Sequence, residues 1–165
     1  MSGTLMLRPA HIALGSNVGD RHGNLDAAIA ALAAVEAVTV IRVANAIETA
    51  PVDCPPGSLP FLNSAAELAT TLEPHALLAA LHAVEISLGR ERPVRNAPRT
   101  IDLDLLLFGD RIIDSPGLTL PHPRLHERRF VLAPLASVAP RVMHPTLGRT
   151  IEDLLRELDR TASRS

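Results

Sequence analysis

The most constraining feature of this sequence is the run Ile101–Phe108, which is apolar except for Asp102 and Asp104. An apolar run of this length predicts a largely buried strand. Side chains two residues apart on a strand share a face, so both carboxylates should project from one surface of a sheet. Two like charges beside a core need a cationic partner. That partner is either a divalent ion such as Mg²⁺ or arginine side chains on a wet face.

Five further elements are predicted around this strand. Apolar and β-branched runs indicate strands, and apolar residues spaced by three and four indicate helices. The order βαββαβ suits a four-stranded antiparallel sheet with two helices on one face, the ferredoxin-like α+β sandwich. The expected strands are Leu7–Leu14, Val38–Val43, Leu62–Thr70 and Ile101–Phe108, and the expected helices are Gly23–Val35 and Pro74–Leu88, with Gly89 ending the second.

Two long loops and a C-terminal helical extension complete the expected organisation. The segment Ala50–Pro60 contains four prolines and one glycine, which predicts a loop. A chain of 165 residues is long enough for one substantial core, so residues 1–165 are expected to form a single domain. The other expected segments are a loop at Arg90–Pro98, a loop at Ser115–Gly117, and helices around Glu127–Ala136 and Ile151–Leu158.

Composition excludes several kinds of chemistry. All 16 basic residues are arginine, so a Walker A lysine, a Schiff base and a pyridoxal phosphate site are impossible, and any phosphate must be bound by arginine. The net charge of −2 argues against a nucleic-acid surface. No apolar stretch is long enough to span a membrane, and no secretory signal is recognisable. The single cysteine, Cys54, fits a reducing cytosol, so a cytoplasmic location is expected.

Two basic clusters bracket the acidic pair. Four arginines precede the strand and three follow it, together with two histidines. Carboxylates that hold Mg²⁺ between guanidinium groups that grip phosphate oxygens would suit a polyphosphate with its metal. The alternative is that each cluster is a solvated loop. The clusters consist of Arg90, Arg92, Arg95 and Arg99 on one side, and of His122, Arg124, His126, Arg128 and Arg129 on the other.

Five groups of short fragments follow one another along the chain: Ala13–Asn17 with Gly19-Asp20, Phe61–Asn63, Glu85 with Gly89-Arg90, Pro98–Asp104, and Pro121-His122 followed by Arg128 and Phe130. In their order and spacing, these fragments resemble the 6-hydroxymethyl-7,8-dihydropterin pyrophosphokinase family of folate biosynthesis over nearly the whole chain. The resemblance implies a Mg²⁺-dependent transfer of diphosphate from ATP to the hydroxymethyl group of the pterin, with AMP released, and it implies the ferredoxin-like fold. A monomer without nucleic-acid or membrane partners is expected.

The resemblance also implies roles for individual residues. Asp102 and Asp104 would hold two Mg²⁺ ions that bridge the ATP phosphates. Arg90 and Arg99 would contact the phosphates as catalytic groups. The remaining implied ATP ligands are Glu85, Arg92, Leu105, Leu118, Thr119, His122 and Arg128, and the implied pterin ligands are Thr49, Val52, Phe61, Asn63 and Phe130, with the two phenylalanines on either side of the ring.

One loop departs from the family pattern. The sequence Arg95-Asn96-Ala97-Pro98-Arg99-Thr100 stands where the family usually has Arg-Trp-Gly-Pro-Arg-Thr, so a tryptophan is missing from a loop expected to close over the substrates. Two other functions fit part of the pattern. A two-metal nucleotidyltransferase or phosphohydrolase also uses paired aspartates near arginines, and a ferredoxin-like ligand-binding module would need no catalytic residues.

Overall fold

A computed structural model of the chain describes residues 6–49, 60–89 and 100–163. The predicted loops at 50–60 and 90–98 lie outside these ranges except for Pro60. Four residues with predicted roles also lie outside the described residues: Arg90, Arg92, Arg99 and Val52.

All six elements of the predicted βαββαβ order are present, at bounds within two residues of those expected. The strands are β1 (Arg8–Ser16), β2 (Val38–Val43), β3 (Ile47–Thr49), β4 (Phe61–Thr70), β5 (Asp102–Phe108), β6 (Ile113–Ser115) and β7 (Leu118–Leu120). The helices are α1 (Arg21–Ala33), α2 (Pro74–Ser87), α3 (Arg129–Val138) and α4 (Ile151–Ser163), with a short 3₁₀ turn at Leu125–Glu127.

The main sheet is antiparallel and has the order β2-β4-β1-β5, with β3 paired to β4 beyond the end of β2. The predicted ferredoxin-like arrangement is therefore confirmed, and β3 is an addition to it. Strand β1 lies at the centre and pairs with β4 on one side and β5 on the other. The residues of β1 from Ala10 to Gly15 thus have paired neighbours on both flanking strands.

Helices cover both faces of the sheet. Helices α1 and α2 pack on one face, as predicted, against a core that includes Ile12, Leu14 and Leu105. The opposite face packs α3 and α4 against a second core that includes Ala65 and Leu107. Because alternate residues of a strand point to opposite faces, Ala13 and Gly15 of β1 lie on the α3 face.

The largest differences from the sequence prediction are short elements. Strands β3, β6 and β7 have three residues each, too few for a periodic pattern to reveal. The predicted loop at Ser115–Gly117 is the turn between β6 and β7, where Gly117 has a φ of 84°. Helix α3 begins at Arg129 rather than at Glu127, because the preceding residues form the 3₁₀ turn, and α4 extends to Ser163. None of the helices in the described ranges is long and apolar enough to cross a membrane.

The carboxylate of Glu85 fixes the start of β5. Glu85 lies near the end of α2 and is only 3% exposed. One of its oxygens accepts a hydrogen bond of 2.8 Å from the backbone N–H of Leu103. Since Leu103 stands between the two aspartates, α2 holds the strand from the face opposite to the one on which they lie.

A buried histidine pairs with a carboxylate across the centre of the sheet. His11 is 1% exposed, and its Nε2 lies 2.9 Å from Oε2 of Glu67, its cross-strand neighbour. Burial lowers the pKa of His11 below its ordinary value of 6.5, and the hydrogen bond and charge of Glu67 offset only part of that effect. The pKa values of His122 and His144 are also lowered, mainly by burial.

These histidines predict a loss of stability in acid. Because their pKa values are lower in the folded chain, the unfolded chain binds more protons below about pH 6.5. The free energy of unfolding should therefore fall as the pH is lowered from 7.5 to 5.5, as measured by urea denaturation at each pH. His11→Gln, which keeps an N–H donor for Glu67, should reduce that fall. An equal fall in the variant and the original chain would contradict the role given to His11.

Removal of the Glu85 acceptor should destabilise the fold. Glu85→Ala leaves the buried N–H of Leu103 without this partner, so the free energy of unfolding should drop by about 1–3 kcal/mol. Glu85→Gln keeps an acceptor oxygen and should lose less, while Glu36→Ala, at an exposed position, serves as the control. Equal stability of the alanine and glutamine variants in denaturant titrations would show that this hydrogen bond does not hold β5.

Candidate active site

The register of β4, β1 and β5 brings polar side chains into one row on the α3 face. Asn63 of β4, Gly15 of β1 and Asp102 of β5 are direct cross-strand neighbours. The next row on the same face consists of Ala65, Ala13 and Asp104. Neighbouring strands lie about 4.8 Å apart. Ala13 and Gly15 of β1 therefore form a strip of small residues between the side chains of β4 and the two carboxylates.

Close approach of neighbouring side chains favours glycine at the centre of this strip. A Cβ atom at Gly15 would lie 3.2 Å from Oδ1 of Asn63 and 3.7 Å from Cδ1 of Phe61. The first distance is shorter than ordinary van der Waals contact, so a larger residue would displace the Asn63 amide. Gly15 thus allows Asn63 and Phe61 to lean over the backbone of β1 towards the aspartates.

The two aspartates share a face, as the sequence predicted. Asp104 pairs with Ala13 and Asp102 with Gly15, with no shift of register between these pairs. Both carboxylates are half-buried. The only irregularity of the β1–β5 ladder lies beyond them, between His11 and Ile12.

The donor set fits Mg²⁺. Within the described ranges, no group of three or more His, Cys, Asp or Glu residues is placed to hold a metal. A full protein cage of the kind that binds Zn²⁺ or Ca²⁺ is therefore not formed by these residues. Mg²⁺ commonly uses one or two carboxylates and completes its octahedron with water and substrate phosphates, which is what Asp102 and Asp104 would allow.

A cavity of ≈ 400 Å³ lies at the outer edge of β5, and Asp104 forms part of its wall. It brings together four of the predicted ATP ligands, from β5, from β7 and from the segment after β7. Its size is in the range of small-molecule sites. The predicted residues in its lining are Leu105, Leu118, Thr119 and His122, and its other lining residues are Leu78, His82, Leu103, Gly117 and Pro123.

Sequence reasoning missed the contribution of α2 to this cavity. Leu78 and His82 are one helical turn apart, so they project from the same side of α2. The predicted ATP ligand Glu85 is not among the lining residues, because α2 turns its carboxylate to the backbone of β5. A direct contact of Glu85 with ATP therefore stays a prediction.

His122 is held as a neutral hydrogen-bond donor. Its Nδ1 accepts a hydrogen bond of 3.2 Å from the backbone N–H of Arg124, so the ring proton resides on Nε2. Burial lowers the pKa of His122, and the positive charges of Arg128 and Arg124 lower it further. The ring is therefore uncharged at neutral pH and offers Nε2–H to an acceptor such as a phosphate oxygen.

Three of the predicted pterin ligands lie together at the end of the β3–β4 ladder. Nδ2 of Asn63 donates a hydrogen bond of 2.6 Å to Oγ1 of Thr49, and Thr49 is paired with Phe61. In this orientation of the amide, Oδ1 lies on the side of Gly15. The cluster thus presents an aromatic ring and an oriented amide beside the row that contains Asp102.

Phe130 and Arg128 lie together at the start of α3, the helix that covers this face of the sheet. Phe130 is the second residue of α3 and is 36% exposed. The guanidinium carbon of Arg128 lies 5.7 Å from the centre of its ring, a distance typical of a cation–π contact. A predicted phosphate ligand and a predicted ring-stacking residue are therefore adjacent.

Comparisons with known proteins identify a family to which this chain is similar. The model of the family described as 7,8-dihydro-6-hydroxymethylpterin-pyrophosphokinase (HPPK) matches residues 11–140. The 2-amino-4-hydroxy-6-hydroxymethyldihydropteridine pyrophosphokinase of Bacillus subtilis (strain 168) is 49% identical over 133 residues, which cover 81% of this chain and 79% of that protein. The protein of the same name from Synechocystis is 39% identical over 153 residues, which cover 93% and 77%.

A solved structure shows the same fold. The crystal structure of wild-type HPPK-DHPS from Plasmodium falciparum has a TM-score of 0.75, with 14% sequence identity, and the match covers 99% of this chain and 47% of that one. This chain therefore spans about half of that larger protein, and the likeness concerns the fold alone. On the family match and the identity to curated relatives, the chain belongs to the 7,8-dihydro-6-hydroxymethylpterin-pyrophosphokinase family.

Proposed function

We propose that this chain transfers the diphosphate group of ATP to 6-hydroxymethyl-7,8-dihydropterin, releasing AMP and the pterin diphosphate as a step of folate biosynthesis. The observation that carries the proposal is the row Asn63, Gly15 and Asp102. In this row and the next, the Asn63 amide lies on one side of the strip of small residues on β1 and the two carboxylates lie on the other. Family membership supports the same reaction.

The nucleotide would occupy the cavity beside β5. Leu105, Leu118 and Thr119 line the part expected to receive the adenine, and Asp104 lies in the wall of the same cavity. Asp102 and Asp104 would hold two Mg²⁺ ions with the phosphates. When bound, these ions would neutralise negative charge on the transferring group.

Arginine and histidine side chains would position the phosphates. Arg90 and Arg99 are proposed as the catalytic guanidinium groups, with Arg92 and Arg128 in support, because a chain without lysine must bind phosphate through arginine. The neutral ring of His122 would donate a hydrogen bond through Nε2 rather than add charge. These groups hold the β-phosphorus in place while charge shifts towards the leaving AMP.

The pterin would lie on the strip over Gly15. Phe61 and Phe130 are proposed to stack on its two faces, a geometry favoured by flat aromatic groups. Asn63 would pair with the amide edge of the ring, and backbone groups near Thr49 and Val52 would complete the contact. With the pterin there, its hydroxymethyl group would point across the strip towards the aspartates.

The transfer itself requires mainly alignment. The hydroxymethyl oxygen attacks the β-phosphorus in line, the bond from that phosphorus to the oxygen shared with the α-phosphate breaks, and AMP leaves while the alcohol loses its proton. Holding two substrates in contact replaces a collision with a unimolecular step. We further propose that residues 1–165 act as one catalytic domain, as a monomer in the cytoplasm.

Product analysis tests the reaction directly. With Mg²⁺, ATP and 6-hydroxymethyl-7,8-dihydropterin, AMP and pterin diphosphate should appear in equal amounts, and neither should appear without the pterin. Chromatography of the nucleotides distinguishes the alternatives. Formation of ADP would contradict the proposal in favour of an ordinary phosphotransferase, and pyrophosphate released without the pterin would favour a nucleotidyltransferase or phosphohydrolase.

Neutralising the carboxylates should remove activity while the fold is retained. Asp102→Asn and Asp104→Asn should each lower kcat by about 10²-fold or more, since groups that stabilise transition-state charge contribute on that scale. Mg²⁺-dependent binding of ATP should weaken in the double variant. Asp110→Asn, at an exposed position just beyond β5, is the control. Turnover by the double variant at the original rate would remove the catalytic assignment.

A further inference from the structure

One guanidinium group joins the two strands that carry the pterin-side residues. Arg21, the first residue of α1, places Nη2 2.7 Å from Oε1 of Glu48 in β3. Its Nη1 donates a hydrogen bond of 2.8 Å to the carbonyl oxygen of Pro60, which immediately precedes β4. The side chain of Arg21 is only 23% exposed. The two contacts therefore come from one rather shielded group and reach two different segments.

These contacts lie on either side of the last pair of the β3–β4 ladder, because Glu48 precedes Thr49 and Pro60 precedes Phe61. Thr49 is paired with Phe61, and Glu48 is paired with Leu62. Residue Leu62 belongs to the core beneath α1, so Glu48 also faces α1, where Arg21 can reach it. Thr49 and Phe61 face the opposite side, on which the strip of small residues on β1 lies. Arg21 thus contacts the ladder on the α1 face. It does not lie on the face where the pterin would bind.

The β3–β4 ladder depends on such support because β3 is short. It has three residues, and among the described strands it pairs only with β4. The last pair of a short ladder opens most readily, because few contacts hold it closed. Opening would move Phe61 and would break the hydrogen bond from Asn63 to Thr49. The orientation of both predicted pterin ligands therefore depends on the end that Arg21 ties down.

An ordinary surface ion pair would not serve this purpose. Exposed pairs of arginine and glutamate usually contribute little to stability. A contact of Arg21 with Glu48 alone would be a pair of this kind, because the side chain of Glu48 is 57% exposed. Arg21 differs from such a pair because it also donates to the Pro60 carbonyl. The planar guanidinium therefore fixes two acceptors relative to each other. A lysine has no such fork.

We propose that Arg21 is a positioning residue for the pterin site, which acts through Thr49 and Phe61 without touching the substrate. This inference rests on the proposed function. Arg21 should therefore affect the affinity for the pterin but not the affinity for ATP. The nucleotide cavity lies on the other side of β1, at the edge of β5.

Separate binding measurements for the two substrates test this role. Calorimetry would give the Kd of a non-hydrolysable ATP analogue with Mg²⁺, and then the Kd of 6-hydroxymethyl-7,8-dihydropterin in its presence. Arg21→Ala should weaken pterin binding by about tenfold and leave the Kd of the ATP analogue unchanged. Arg21→Lys should recover part of the loss, and Glu48→Gln, which weakens one of the two contacts, should give a smaller loss of the same kind.

The control is Arg149→Ala. Arg149 is an exposed arginine whose Nη1 lies 3.0 Å from Glu157, in a pair remote from β3, and its loss should change neither Kd. An unchanged pterin Kd in folded Arg21→Ala would overturn the positioning role, and so would an equal loss of both ligands. If Arg21→Ala does not fold, Arg21→Lys and Glu48→Gln are judged by the same criterion. Failure of the original chain to bind the pterin would instead overturn the proposed function.

Discussion

The hydrogen-bonded register of β1 determines the geometry of the candidate site. This strand is paired on both sides, and a slip of one residue against either neighbour would turn the side chains to the other face. In the observed register Gly15 separates Asn63 from Asp102. The strands that carry these polar groups are fixed by contacts with α1 and α2, which pack on the opposite face of the sheet. Glu85 fixes β5 through the backbone of Leu103, and Arg21 ties the end of the β3–β4 ladder.

The main architecture is predictable from sequence because its elements are long and periodic. Strand β2 and the start of α2 are found at the expected residues, where β-branched residues and a proline give local signals. The short strands β3, β6 and β7 are not predictable in this way, because three residues adopt extended backbone only when a partner strand is present. The position of α3 and α4 on the second face also depends on tertiary packing, since an amphipathic pattern does not say which surface it will cover.

The site is predictable from sequence where its residues form a local pattern. The shared face of Asp102 and Asp104 follows from their spacing alone. The gathering of Leu118, Thr119 and His122 beside β5 follows only from the resemblance to a family, because nothing in their spacing indicates a cavity. Arg21 and His82 have no local signal at all. Their places depend on contacts between segments that are far apart in sequence, which only the folded chain brings together.

The central claim is that the metal-nucleotide and the pterin ligands meet across Gly15. Mn²⁺ bound with a non-hydrolysable ATP analogue would report this by paramagnetic broadening in NMR spectra of the labelled protein. We expect strong broadening of the Gly15 backbone amide and of the Asn63 side-chain amide, since β4 and β5 are separated by a single strand. This broadening should be absent in the Asp102→Asn, Asp104→Asn double variant. Undisturbed signals from Gly15 and Asn63, with broadening elsewhere on the protein, would contradict the account.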